Sequence, residues 1–293
     1  MDKMKVLVEH GANPFLLSNL DANILHAAAE SKTDYGLVGA LEIWKRCPNQ
    51  LNINQTNRWA ETPLHVAAWC SAACVKLLLE AGASPSIRQE DGQVPLHCAG
   101  LSGKGPDRRD IVFLLCSTES REHINIQDAD GRPPLFDFLD DSECVEILIK
   151  HGAQMDLIDN LGMTFFHHAC IQDESDALRT VLRLNADPLI ATKEDYEGDT
   201  PLMKALYHQS VECALVLLEL EYIGDIVGKN GWAVIHYAAK IGDVDLLEAV
   251  MKHPSFVRDM KTADGMTVDS VAMEAGTWCG RVKYLVRKYN SLA

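Results

Sequence analysis

The chain has 293 residues, a formal net charge of −15 at pH 7 and an ordinary hydrophobic fraction of 47%. This acidic balance argues against sequence-independent binding to nucleic acid or to anionic membrane, because both need a basic surface. No apolar run approaches the roughly 20 residues that a membrane-spanning helix requires. The nine cysteines are scattered without close pairing, which indicates a reducing compartment, cytoplasmic or nuclear.

A short motif recurs along the chain, and its best copy is Thr62-Pro63-Leu64-His65-Val66-Ala67-Ala68. Degraded copies follow at intervals of about 35 residues, a period typical of stacked helix pairs. In chain order, the position of His65 is taken by His26, His65, His97, Phe136, His167, Met203, His236 and Ser270. We predict a single domain over residues 1–293, with units at approximately 1–17 (partial), 18–56, 57–88, 89–127, 128–158, 159–194, 195–227, 228–261 and 262–293.

The first element is unusual, because residues 1–17 match only the second helix and the exit turn of a unit. We expect this half unit to be a cap or the sign of a longer protein. If it is uncapped, its apolar side chains predict self-association. The 18–56 unit is long, and we expect its extra residues near 33–36 or 47–50.

The 57–88 unit shows the pattern of the others. Pro63 opens a first helix, since proline suits the first helical turn, where its missing N–H would have no partner. The second helix has an apolar stripe at Val75, Leu78 and Leu79, and Gly82 ends it. A glycine recurs in the turn before later motifs, which indicates a left-handed backbone: Gly92, Gly131, Gly162, Gly198, Gly231 and Gly265.

Two clusters of basic residues interrupt the acidic composition. In the long 89–127 unit we expect an extended loop at residues 103–109, which contains Lys104, Arg108 and Arg109. The second cluster lies between Arg281 and Lys288, where cations suit the last turns of a helix.

This pattern resembles the ankyrin repeats, helix pairs of about 33 residues with a T-P-L-H-x-A signature. The resemblance implies an all-α repeat solenoid of about eight helix-turn-helix units, curved around a concave groove, with no cofactor. It also implies a structural role for the histidine column, with each imidazole bonded to backbone groups of its own and neighbouring turns.

The sequence contains little evidence for a catalytic or metal-binding group of residues. Cys70 and Cys74 could form half of a metal site near His65, but no second pair has fitting spacing. The acidic pair Asp140 and Asp141 is expected to be solvated in an inter-helix turn. No phosphate-binding loop, zinc-protease helix or nucleophile elbow is present, so we predict no enzyme activity, no catalytic residue and no metal.

The resemblance implies that a partner binds to the turn tips and to the ends of the first helices. The matching positions are Arg58, Trp59, Glu61, Trp69, Arg132, Asp140, Asp141, Tyr196, Asp199, Tyr207, His208, Trp232, Tyr237 and Lys240. Exposed aromatic residues are common binding hot spots, and acidic residues lie between them. We therefore predict a protein or peptide partner with basic and apolar character. Trp59 and Trp69 should lie roughly 50 Å from Trp232, too far to share a small ligand.

Two alternatives to an interaction scaffold remain open. The first is a methyl-lysine or histone-tail reader, because Trp232 and Tyr237 resemble two members of an aromatic cage. However, Lys240 stands where an acidic residue would help, and Val271 supplies no further ring. The second alternative is the targeting array of a larger enzyme whose catalytic domain is not in this chain.

Overall fold

The computed structural model describes residues 8, 10–31, 34–47, 49–103, 106–184, 187–220, 231–254, 256 and 260–291. Most of the predicted half unit's helix, residues 1–7, lies outside this part. None of the helices within the described ranges is long and apolar enough to cross a bilayer.

Short helices follow one another in pairs, which we number 1 to 8 in chain order. The first helices are Ile24–Ala29, Pro63–Ala68, Pro95–Leu101, Pro134–Phe138, Phe165–Gln172, Pro201–His208, Val234–Ile241 and Val268–Glu274. The second helices are Asp34–Arg46, Ala72–Glu80, Pro106–Cys116, Ser142–Lys150, Ser175–Arg183, Val211–Leu218, Val244–Lys252 and Gly280–Ser291. Pro134–Phe138 is a 3-10 helix, as are the connecting turns Glu122–Asn125 and Pro188–Thr192. The predicted all-α repeat solenoid is confirmed.

Contacts divide the chain into two compact units. Unit 1 comprises residues 1–154 with pairs 1 to 4, and unit 2 comprises residues 155–293 with pairs 5 to 8. Pair 2 shows how the core of unit 1 is filled. Ala67 and Ala68 are fully buried on the first helix, and their small side chains allow Val75 and Leu78 of the second helix to pack closely.

The histidine column is structural, as predicted. The Nδ1 atom of His65 accepts a hydrogen bond from the Thr62 N–H (3.0 Å), which satisfies a free donor at the helix start. Its Nε2 lies 3.2 Å from the Gln93 carbonyl in the turn of the next pair. Because Nδ1 receives a backbone N–H, the ring proton is on Nε2, which donates to that carbonyl. His26, His97 and His167 form the equivalent bond, so each of these histidines links two successive pairs.

The turns between pairs have the predicted left-handed residue. Gly92, Gly131, Gly162, Gly198, Gly231 and Gly265 have φ between 68° and 78°. At Gly162 the conformation coincides with a close approach, since an added Cβ would lie 2.7 Å from Cδ1 of Tyr196. Pair 2 has Ala60 at this position, with φ 60°, so an alanine there occupies a conformation that favours glycine.

The predicted extended loop at residues 103–109 is wrong in its second half. Pro106 opens the helix Pro106–Cys116, so Arg108 and Arg109 belong to its first turns. Proline followed by Asp107 is a favourable helix start, because proline presets φ and an acidic side chain complements the helix dipole. The 18–56 unit was expected to have its extra residues near 33–36 or 47–50. Gly36, in the first of these segments, lies inside the helix Asp34–Arg46.

Candidate functional site

The turn tip of pair 2 presents Trp59 on a rigid backbone. The Asn57 side chain accepts hydrogen bonds from the N–H groups of Trp59 (2.9 Å) and Glu61 (3.0 Å). The Trp59 carbonyl in turn accepts from the Glu90 N–H of the next tip (3.1 Å). The Trp59 side chain remains 46% exposed, and neighbouring Arg58 is exposed as well. Glu61 is bonded to the Asn57 amide (2.8 Å), so part of its hydrogen-bonding capacity is already used.

Two further apolar side chains of unit 1 lie at the ends of first helices. Trp69 directly follows Pro63–Ala68 and is 44% exposed, and Leu101 ends Pro95–Leu101 and is 48% exposed. The turn tips of the next pairs add the exposed acids Glu90, Asp91 and Asp130. We call this set the unit 1 face: Trp59, Trp69, Leu101, Glu90, Asp91 and Asp130. It combines three exposed apolar side chains with three exposed carboxylates.

The predicted site residues of pair 4 are mostly engaged within the protein. Nη1 of Arg108 donates to both carboxylate oxygens of Asp140 (2.9 and 3.1 Å). The expectation that Asp141 is solvated is wrong, because it is buried and caps Ser142–Lys150 by accepting two backbone N–H bonds at 3.2 Å. Burial acts to raise the pKa of Asp141, but these bonds and Arg109 outweigh it and lower the pKa. Arg132 is half-buried, and its carbonyl accepts from His97 (3.1 Å).

Unit 2 brings three predicted aromatic residues together. The rings of Trp232 and Tyr237 lie 4.9 Å apart, and those of Tyr207 and Tyr237 lie 5.1 Å apart in an edge-to-face arrangement. Lys240 places its ammonium 5.6 Å from the Trp232 ring, so a cation of this chain already lies over that ring. Tyr237 is buried, which raises the pKa of its phenol, and a hydrogen bond with Tyr207 raises it further. Tyr196 and His208 are exposed at separate positions.

Asp199 is part of a buried ion-pair network that the sequence did not reveal. Lys204 places its Nζ 2.8 Å from Asp195, 3.0 Å from Asp199 and 3.3 Å from Glu197. Burial alone lowers the pKa of Lys204, but its bonds to Asp195 and Asp199 outweigh burial and raise it. These three carboxylates lie close enough to hold a metal ion. The ammonium of Lys204 contacts all of them, so they are engaged in an internal salt bridge.

Three buried polar residues lie outside the predicted set, and the sequence contains a signal for each: Lys204, His168 and Arg108. Lys204 stands one residue after the histidine column, and His168 occupies the equivalent place in pair 5, 2.8 Å from Asp159. A comparison of the residues that directly follow the histidine column would have indicated that His168 and Lys204 each pair with an aspartate nine residues earlier. Arg108 stands three residues before the buried Ile111, the position that Ser71 and Asp141 hold before their buried cysteines. Because Ser71 and Asp141 are buried at this position, the alignment of the repeats would have indicated that Arg108 is buried as well.

Comparison with known proteins identifies the repeat. A family described as ankyrin repeats (3 copies) matches residues 25–128, 107–192, 139–230 and 184–264. The ANK repeat-containing protein nipk-1 of Caenorhabditis elegans is 31% identical over 213 residues, 63% of this chain and 34% of that protein. The probable 26S proteasome regulatory subunit p28 of Saccharomyces cerevisiae is 33% identical over 134 residues, 43% of this chain and 56% of that protein. The match thus spans about a third of the worm protein and about half of the yeast protein.

A solved structure agrees with the fold. The ankyrin repeat domain of Bcl-3, a member of the IkappaB protein family, superposes with a TM-score of 0.56 and 23% sequence identity. The superposition covers 73% of this chain and 90% of that domain. At this identity the likeness extends to the fold alone.

Proposed function

The chain belongs to the ankyrin repeat family, and we propose that it is a non-catalytic scaffold that binds a protein partner through the unit 1 face. Ankyrin repeats generally mediate protein–protein interactions. The observation that carries the proposal is the exposure of Trp59 and Trp69 on adjacent turn-tip and helix-end positions. Hydrogen bonds within and between the tips hold Trp59 in place before binding, so a partner orders little of this surface.

The charge around the two tryptophans supports a partner segment with basic and apolar character. Glu90, Asp91 and Asp130 are exposed beside the apolar residues. Opposite charge at the rim accelerates association and selects against acidic partners. The apolar centre supplies most of the binding free energy, as exposed tryptophans often do when a partner buries them.

The experiment selects peptides that bind the chain and then tests which side chains they need. A phage-displayed library of random dodecapeptides is panned on the protein, and enriched peptides are synthesised and titrated by calorimetry. The double variant Trp59→Ala/Trp69→Ala should weaken binding by about 30-fold or more, which corresponds to about 2 kcal/mol. Tyr35→Ala is the matched control, because Tyr35 is an exposed aromatic residue of the same unit on a second helix. A correctly folded double variant that binds with wild-type affinity contradicts the proposal.

The proposal includes the compartment and the absence of catalysis. Six of the nine cysteines are buried in the helix pairs, where a small apolar side chain packs well, and this supports a reducing compartment, cytoplasmic or nuclear. The histidines of the column bond to backbone groups and are engaged in structure. The activity of any longer protein that contains this array would reside outside the surfaces described above.

A methyl-lysine or histone-tail reader remains the second candidate. Tyr207 adds a third ring beside Tyr237 and Trp232, which favours cation capture. The position of Lys240 over Trp232 opposes it, because an incoming ammonium would have to displace that cation. Titration with mono- and dimethylated histone peptides distinguishes the candidates. A reader prefers the methylated peptide, and equal affinity for the unmodified peptide excludes one.

A further inference from the structure

Three turns in successive pairs position an aspartate in the same way. In each turn, Oδ1 of the aspartate accepts the backbone N–H groups two and four residues later, at 2.8 to 3.0 Å. The aspartates are Asp128, Asp159 and Asp195. This shared geometry leaves the second carboxylate oxygen of each residue directed away from its own turn.

In pairs 5 and 6 that second oxygen contacts a nitrogen nine residues later. Oδ2 of Asp159 lies 2.8 Å from Nε2 of His168, and Oδ2 of Asp195 lies 2.8 Å from Nζ of Lys204. In pair 4 the residue nine positions after Asp128 is Asp137, which is acidic. Pair 4 therefore has a carboxylate, that of Asp137, at the position where pairs 5 and 6 have the nitrogen-bearing side chains of His168 and Lys204.

In the described part of the chain, no donor bonds to Oδ2 of Asp137 in place of that nitrogen. Its Oδ2 is buried and accepts no hydrogen bond from any described residue, although the residue as a whole keeps some exposed surface. Arg108 approaches from pair 3, but its guanidinium bonds to the Asp137 backbone carbonyl (3.1 Å) and to the carboxylate of Asp140. Gly100 lies so close that an added Cβ would overlap the Cβ of Asp137, which fixes the side chain against the helix Pro95–Leu101.

The charges around Asp137 do not balance its carboxylate. The pKa of Asp137 is raised to about 7, because burial and, to a smaller extent, the charge of Asp128 outweigh the opposing effects of Arg132 and Arg108. The thiol of Cys98, on the facing helix, is neutral because burial raises its pKa to about 12. The described residues around Asp137 therefore do not fully balance a negative charge on its carboxylate.

We propose that a lysine or arginine side chain of the partner binds between Asp128 and Asp137 and supplies there the positive charge that Lys204 supplies beside Asp195 in pair 6. The proposal rests on the proposed function, since the same segment places an apolar side chain on Trp59 and Trp69. Packed helices lie about 8–10 Å apart, so pairs 2 and 4 are separated by roughly 20 Å. An extended segment advances about 3.3 Å per residue, so the basic residue stands about six positions from the apolar one.

The selected dodecapeptides test this register. Peptides enriched at pH 8 should contain an aromatic or aliphatic residue and a Lys or Arg about six positions away. Their affinity should rise up to about tenfold from pH 6 to pH 8, because the ionised fraction of a group with a pKa of about 7 grows from about one tenth to about nine tenths. Asp137→Asn should weaken binding at pH 8 and abolish this rise. Asp110→Asn, at an exposed acid of the same unit, should change neither.

Asp128→Asn is the second variant, because an asparagine keeps the oxygen that accepts the two turn N–H groups and removes the charge. It should also weaken binding at pH 8. Enriched peptides that depend on Trp59 and Trp69 but lack the spaced basic residue, or that bind Asp137→Asn with wild-type affinity and pH dependence, overturn the inference alone. A selection that yields only peptides indifferent to the two tryptophans contradicts the proposed function as well.

Discussion

His167 makes a sharp prediction about acid stability, because its imidazole is fully buried in unit 2. Its Nδ1 accepts the Thr164 N–H (3.0 Å), and its Nε2 donates to the Asp199 carbonyl (3.0 Å). Burial lowers the pKa of His167 from 6.5 to about 4, and Lys204 and His168 lower it too, while the bond to Asp199 and the charge of Asp195 act in the opposite direction. Protonation of Nδ1 would place a second N–H against the Thr164 N–H, so the hydrogen bond between them would be lost.

The sign of the pH effect follows from this lowered pKa. Between pH 6.5 and pH 4 the unfolded chain binds a proton at His167 that the folded chain does not, so stability falls as the pH drops through that window. At pH 5 the unfolded group is almost fully protonated and the folded group mostly neutral. Because the pKa of His167 is lower in the folded state, the free energy of unfolding at pH 5 is about 2 kcal/mol smaller than at pH 7.5. At pH 4 the loss is about 3 kcal/mol.

The variant His167→Gln removes the titration, and His208→Gln is the control at an exposed histidine of the same unit. At pH 7.5 His167→Gln should be less stable than the wild type by about 1–3 kcal/mol, because buried backbone partners are left unsatisfied. Its deficit should shrink by about 2 kcal/mol at pH 5. Urea unfolding followed by circular dichroism measures the difference, and NMR titration of the ring protons measures the folded pKa directly. A His167 ring that titrates near 6.5 in the folded protein refutes the reasoning.

Four further changes test the fold, each by urea unfolding unless stated. Ala60→Gly should stabilise unit 1 by about 1 kcal/mol, since φ is 60° there; no gain would mean the turn is unstrained. Gly100→Ala should destabilise by about 1–3 kcal/mol, because the methyl overlaps a side chain of the next pair; an unchanged midpoint would argue against that close approach. Lys204→Met should cost about 3–5 kcal/mol by leaving buried carboxylates unpaired, and a neutral result would remove the salt bridge from the account. Leu16→Glu/Leu17→Glu should reduce self-association in sedimentation velocity, since both leucines are exposed; identical sedimentation would exclude that surface.

The features that could be predicted from the sequence are those that each turn and helix start determines locally. Thr62 and His65 lie three residues apart, so one turn of backbone fixes their mutual bond wherever the motif occurs. The left-handed turn positions are equally local, because only glycine adopts that backbone without strain. The exposure of Trp59 and Trp69 followed from the repeat register in the same way.

The features that could not be predicted depend on what a neighbouring pair contributes. Arg108 was expected in an extended loop, but the carboxylate of Asp140 and the backbone of Gly100 stabilise it in the core. Asp141 looked solvated for a different, local reason, since its role as a helix cap depends on where Ser142–Lys150 begins. Only the stacking of successive pairs brings such groups together, and the register of one pair against the next is not visible within a single repeat.

The most direct test of the central claim is ¹⁹F NMR of the protein labelled with 5-fluorotryptophan, titrated with a selected peptide. The chain has five tryptophans, and single Trp→Phe variants assign their resonances. The signals of Trp59 and Trp69 should shift and lose solvent exposure on binding, while those of Trp44 and Trp278 should stay unchanged. Binding that leaves the Trp59 and Trp69 resonances in place would contradict the assignment of the unit 1 face as the partner site.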